Sequence, residues 1–209
     1  MSDPKNLRIL IVDDHPILRE GIAAILENQK DMVLAGEASN GDEAISQYNA
    51  LRPDVTLMDL QMPGTSGIEA IGAIRAEHPA ARILVLTTYA GDAQAVRALK
   101  AGATGYLLKS SLRTEMIDAI RNVSKGVRHI HREVADEIAR HVIDDPLSDR
   151  EVAVLRLIAF GRANKQVAHE LGVSEETVKA HLKSIFLKLG VADRTHAITV
   201  ASQRGILLL

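Results

Sequence analysis

VTLMDLQMPG (55–64) begins as a short apolar run and ends on a carboxylate, Asp59, just before a Met-Pro-Gly turn. Val, Thr, Leu and Met in unbroken succession suit a strand buried on both faces, as in a parallel sheet. A carboxylate beside such a core is costly unless a charge or a hydrogen-bond donor meets it. What Asp59 faces is therefore the first question.

Outward from this stretch, similar runs recur: LRILIVDD (7–14), MVLAGEA (32–38), ILVLTT (83–88) and GYLLK (105–109). Helical periods separate them, as in Ile17, Leu18, Gly21, Ile22, Ile25 and Leu26, whose apolar residues share one stripe. A five-fold strand-helix alternation predicts a five-stranded parallel sheet, doubly wound in the flavodoxin manner, over residues 1–125. After Gly126 only helical patterns remain. EVADEIARHVI carries a stripe of Val134, Ile138 and Val142 that Asp144-Asp145-Pro146 should stop, so 126–146 is expected to be a partly helical linker. Residues 147–209 form the third segment.

Ligands of open parallel sheets bind beyond the carboxyl ends of the strands, where strand order reverses. The first strand ends in Asp13-Asp14, the third in Asp59, the fourth in Thr87 and the fifth in Lys109. Three carboxylates repel one another, and one lysine cannot neutralise them. A hard divalent cation, Mg²⁺ best, is the expected partner, because it takes one or two carboxylates and keeps waters for a phosphate. Asp59 then suits attack on a phosphoryl group, with Lys109 and the Thr87 hydroxyl meeting charge on the transferred oxygens.

IVDDHP (11–16), LMDLQMPG (57–64), LT (86–87) and GATGYLLK (102–109) together resemble the receiver domains of two-component response regulators, over residues 7 to about 125. The resemblance implies that Asp59 is the phospho-acceptor. It implies that Asp14, Asp59 and the Gln61 backbone carbonyl bind Mg²⁺ directly, Asp13 through water, and that Lys109 holds the phosphoryl group. Thr87 and Tyr106 would be the switch pair. Ser110 follows Lys109 where many receivers have proline. His15, at the start of the first helix, reads as structural.

The segment LSDREVAVL opens with a capping box in which Ser148 caps and Glu151 reaches back. NKQVAHEL then ends at Gly172, and Ser174 caps the next helix, giving a helix-turn-helix plan. From Ser174 to about Leu189, Val178, Leu182, Ile185 and Leu189 form the buried stripe. Lys179, Ala180 and Lys183 lie outward, a face suited to a major groove. Residues 147–198 resemble the LuxR-type four-helix DNA-binding domain of the NarL/FixJ response regulators. That implies base contacts from Lys179, Ala180 and Lys183, and phosphate contacts from Asn164, Lys165, Ser174, Thr177 and Lys188. The last helix, about 193–204, would pair two copies as a homodimer on DNA. The apolar end GILLL suits packing on its own domain or on a second subunit.

Composition agrees with this division. Residues 1–125 hold 13 Lys and Arg against 16 Asp and Glu, whereas 146–209 hold 9 against 6, so the basic share lies where a polyanion is expected. With no cysteine, disulfides and thiolate metal sites are excluded. No apolar run is long enough to cross a bilayer, and a cytoplasmic protein is expected. The expected function is transcriptional control over double-stranded promoter DNA, switched by a sensor histidine kinase, without substrate turnover. Two rivals are a phosphorylation-independent dimeric regulator and an aspartyl-phosphate phosphohydrolase. The hydrolase needs D-x-D on one strand, and Gln61 stands where the second aspartate belongs.

Overall fold

The computed structural model of the chain describes residues 6–88, 92–141 and 147–207. It divides into two compact units, one built on the sheet and the other mainly on the helices after Ala135.

In the first unit the strands are β1 (Leu7–Val12), β2 (Met32–Ala38), β3 (Val55–Asp59), β4 (Ile83–Thr87), β5 (Gly105–Leu108) and β6 (His129–Ile130). Between them run α1 (Pro16–Glu27), α2 (Gly41–Leu51), α3 (Gly67–Glu77), α4 (Asp92–Ala101) and α5 (Leu112–Ser124), and α6 (Arg132–His141) follows β6. All strand pairs are parallel, in the order β2-β1-β3-β4-β5-β6. Alternation along each strand divides the core. Ile9, Ile11, Leu57, Leu84, Leu86 and Leu107 meet Ile22 and Leu26 of α1 and Met116, Ile120 and Val123 of α5. Leu10, Val12, Met58, Ile83 and Val85 point the other way and are just as buried.

The expected sheet of five parallel strands is present, and a sixth extends it. Two residues of β6 pair with β5, Gly105 beside His129 and Tyr106 beside Ile130. A two-residue strand has no period to read, which is why 126–146 looked like linker alone. β6 thus lies beyond residue 125 yet belongs to the same sheet. Val134 of α6 is buried and Ile138 half-buried, as their stripe predicts. Val142 and the Asp144–Pro146 stop lie outside the described residues. The Lys109–Ser110 peptide is trans, as is every other described bond.

The second unit carries α7 (Asp149–Ala159), α8 (Asn164–Leu171), α9 (Glu175–Leu189) and α10 (Arg194–Gln203). The caps read at Ser148 and Ser174 and the stop at Gly172 are all present. The Ser148–Glu151 capping box forms at α7, Ser174 caps α9 through the Thr177 N–H, and Asp193 caps α10. Gly172 and Gly190 adopt left-handed conformations that close α8 and α9. Val154, Leu155, Ile158, Val167, Val178, Ile185, Ala197 and Ala201 form the core. Leu182 and Leu189 pack against it half-buried, so the predicted stripe of α9 faces inward. Of the GILLL end, Ile206 and Leu207 pack on this same core, and Leu208 and Leu209 lie outside the described residues. No helix among the described residues is long and apolar enough to cross a membrane.

Candidate functional site

Because β1 and β3 are hydrogen-bonded neighbours, the carboxylates at their ends converge. Asp13 is fully buried and Asp59 is 3% exposed. Asp59 Oδ1 accepts the backbone N–H of Leu60 at 2.7 Å and that of Gln61 at 3.3 Å. Its other oxygen lies 2.8 Å from Lys109 Nζ, which also stands 2.7 Å from Asp13 Oδ2. Lys109 follows the last residue of β5, so one ammonium joins three strand ends. This answers what Asp59 faces: a lysine that it shares with a second carboxylate.

Sharing leaves the crevice short of positive charge. Burial pushes the Asp59 carboxyl above the ordinary carboxylate value; Lys109 pulls it back, and the Asp13 charge raises it again. Burial works against the Lys109 charge too, but the two carboxylates prevail and its pKa is raised. Asp14 stands beside them with one buried oxygen, Oδ1, 2.8 Å from His15 Nδ1. The same ring nitrogen lies 3.1 Å from Asp13 Oδ1. His15 precedes α1, as expected, but its ring also reaches the acidic cluster, which its sequence position did not signal. One ligand atom each from Asp13, Asp14, His15 and Asp59 falls within 4.8 Å of the others. An oxygen-rich, net negative cluster of three carboxylates is the donor set a hard cation takes.

The turn that follows Asp59 depends on a glycine. A Cβ on Gly67, the first residue of α3, would overlap the Asp59 carbonyl oxygen and crowd the Leu60 Cα. The Gly67 N–H instead donates to the Leu60 carbonyl at 3.2 Å, which fixes the turn after β3. On the far side, Thr87 ends β4 at 2% exposure and Tyr106 is fully buried in β5. Burial drives the Tyr106 phenol up to about 12, with the Thr87 side chain acting the other way, so the two expected switch residues meet inside the sheet.

On α9, Lys179, Ala180 and Lys183 are exposed on one stripe. Lys179 pairs with Glu176 at 2.7 Å, and this surface pair raises its pKa. Lys165 and Ser174 are exposed, and Asn164 and Thr177 are half-buried. Lys188 behaves differently. Its ammonium lies 3.0 Å from Glu151 Oε2 and its side chain is only 17% exposed, so it is turned inward onto a carboxylate. Glu151 is the residue that sequence reading undervalued. Besides its capping-box bonds to Ser148, it accepts the Ser184 hydroxyl at 2.6 Å. The only sequence signal was the i, i+4 spacing of Ser184 and Lys188 on α9.

What the sheet, the crevice and the helix-turn-helix define is a receiver joined to a DNA-binding domain. Two family descriptions match in the same succession: response regulator receiver domain over residues 9–121, and bacterial regulatory proteins of the luxR family over 145–201. The chain belongs to the NarL/FixJ family of two-component response regulators. It is a DNA-binding transcriptional regulator. Among its relatives is the transcriptional regulatory protein LiaR of Bacillus subtilis, 41% identical over 208 residues, covering 96% of this chain and 99% of that one. The response regulator protein VraR of Staphylococcus aureus is 35% identical over 206 residues, with 96% and 99% covered. Among solved structures, RcsB from Salmonella enterica serovar Typhimurium, bound to promoter P1flhDC in the presence of the phosphomimetic BeF3−, matches with 30% identity, 95% and 99% coverage and a TM-score of 0.75. A receiver implies a kinase partner, and the luxR-type domain implies promoter DNA.

Proposed function

We propose that Asp59 accepts a phosphoryl group from a sensor histidine kinase and that this event controls promoter binding by the α7–α10 domain. The observation that carries the reading is the shared lysine: Asp59 and Asp13 lie within 2.8 Å and 2.7 Å of one ammonium, so the crevice holds more negative charge than it neutralises. An Asp59 oxygen attacks phosphorus, the bond from phosphorus to the kinase's histidine nitrogen breaks, and an acyl phosphate remains. Asp14, Asp59 and the Gln61 carbonyl would hold Mg²⁺, with Asp13 behind a water. When bound, Mg²⁺ supplies the positive charge that brings the donor's phosphoryl oxygens to these carboxylates.

After transfer, Lys109 meets the phosphoryl charge, and Thr87 and Tyr106 report it through β4 and β5. A homodimer then places two copies of α9 in successive major grooves, with Lys179, Ala180 and Lys183 toward bases. Asn164, Lys165, Ser174 and Thr177 meet phosphates. Incubation with acetyl phosphate and Mg²⁺ should give one hydroxylamine-labile phosphate by mass spectrometry, absent without Mg²⁺ and absent in Asp59→Asn. Modification that persists in Asp59→Asn would remove the reading.

A further inference from the structure

The lysine that faces Asp59 sits at the start of a 3-10 turn, Lys109–Ser111, which joins β5 to α5. Ser110, unlike a proline there, leaves this turn without ring rigidity, and the position of the ammonium depends on what else holds the turn. His131 is the residue that does so. It is 9% exposed, although it follows a two-residue edge strand. Its backbone N–H donates to the Tyr106 carbonyl at 2.8 Å, tying it to the switch strand. Its ring Nε2 stands 2.9 Å from the Ser111 hydroxyl and 3.4 Å from Glu115 Oε1. The other ring nitrogen, Nδ1, accepts the Glu133 N–H at 3.3 Å, in the first turn of α6. Since Nδ1 accepts, the neutral ring carries its proton on Nε2, toward Ser111 and Glu115.

One buried residue thus touches both sides of Lys109, the strand before it through its backbone N–H and the turn after it through its ring, and the ring also caps the helix that leaves the receiver. We infer that His131 is a positioning residue for Lys109: it clamps the 109–111 turn so that the ammonium stays on Asp59, and it passes displacement of that turn to the start of α6. The inference rests on Asp59 phosphorylation as the input. Its content is separate, namely that the route from Lys109 to the linker helix runs through the Ser111–His131 bond. A rigid element with partners at both ends is the physical means by which a local charge change reaches a distant segment.

The test uses the full chain with three substitutions. His131→Asn keeps a good helix cap for α6 but is too short to reach Ser111. Ser111→Ala removes the other end of the same bond, and the third protein combines both. For each, acetyl phosphate uptake at Asp59 is followed by mass spectrometry, and DNA affinity is compared with and without phosphate on a promoter duplex selected for the unsubstituted protein. The clamp predicts that all three take phosphate and that each loses about fivefold of the phosphorylation-dependent gain in affinity, as expected for one hydrogen bond. The double variant should be no worse than either single one. His131→Gln, whose amide reaches further, should restore part of the gain.

Full gain in His131→Asn, or additive losses in the double variant, overturns the clamp. So does a fall in phosphorylated affinity matched by an equal fall in unphosphorylated affinity, because that leaves the gain intact and marks general damage. If the unsubstituted protein takes no phosphate, the reading of Asp59 fails first, and the clamp has no signal to carry.

Discussion

Each unit buries a lysine against carboxylate, and the two arrangements are opposites. In the receiver one ammonium serves two carboxylates, Asp13 and Asp59, and the Asp59 pKa is raised. In the DNA-binding domain one carboxylate, Glu151, takes Lys188, the Ser184 hydroxyl and both donors of Ser148. Burial alone would raise the Glu151 pKa, yet these donors bring it down to about 2. The first site is short of positive charge and the second has donors in abundance. A buried carboxylate whose cation is shared with a second carboxylate favours the arrival of a further cation, whereas one with four donors of its own is fixed and structural.

The largest effect should come from the satisfied site. Glu151→Gln leaves Lys188 largely buried without a carboxylate and loosens both α7 and α9, at a cost of about 3–5 kcal/mol. Hydrogen exchange on the full chain should show lost protection in 149–159 and 175–189 and none in the β-strands. Unchanged protection would mean that the Glu151 contacts carry no stability.

Acid separates the two sites by sign. A depressed carboxyl stabilises the fold above its ordinary pKa and ceases to as pH falls through the folded value. For Glu151 that window runs from 4.5 down to about 2, so α7 and α9 should lose stability across it, by about 3 kcal/mol in full. A raised carboxyl works the other way: ionised Asp59 weakens the receiver, and protonation relieves it as pH falls through its elevated pKa. Exchange protection near 55–60 should therefore hold, or rise, in mild acid before that of 149–159 declines. Simultaneous loss in both units would erase the contrast.

The α9 lysines sharpen it at the level of DNA. Lys183→Ala should cost about 1–3 kcal/mol on the selected duplex and less on a scrambled one, because this exposed cation sits on the stripe proposed to meet the bases. Lys188→Ala should lower the melting temperature instead and leave the salt dependence of binding unchanged. A salt slope reduced by about one in Lys188→Ala would return that residue to the phosphate contacts. Smallest of all, Asp59→Asn should raise receiver stability slightly in Mg²⁺-free buffer, by a few degrees at most, since it removes one of two competing carboxylates. A fall in melting temperature would show that Asp59 is satisfied after all.

The receiver site was legible because each of its groups ends a strand, and strand ends are marked where apolar runs stop. IVDD, LMD, LT and LLK give four such stops, and the sheet order does the rest. The helices of the second unit were legible through the Ser148 and Ser174 caps and the Gly172 stop. What stayed hidden depends on pairs far apart in the chain. Glu151 and Lys188 are 37 residues apart, so the inward turn of Lys188 could not be read from the face of α9 alone. Ser111 and His131 are 20 apart, and β6 between them is too short to show a period.

β6 also has a bearing on how the receiver can be handled in isolation. A fragment that stops at residue 125, where the strand pattern fades, would leave β5 as an edge strand with unpaired N–H and C=O groups along Gly105 and Tyr106. Bare edges of apolar strands are templates for pairing with another chain, and GYLL has no charge to discourage it. A fragment continued through Ala135 keeps that edge covered and should stay monodisperse where the shorter one aggregates.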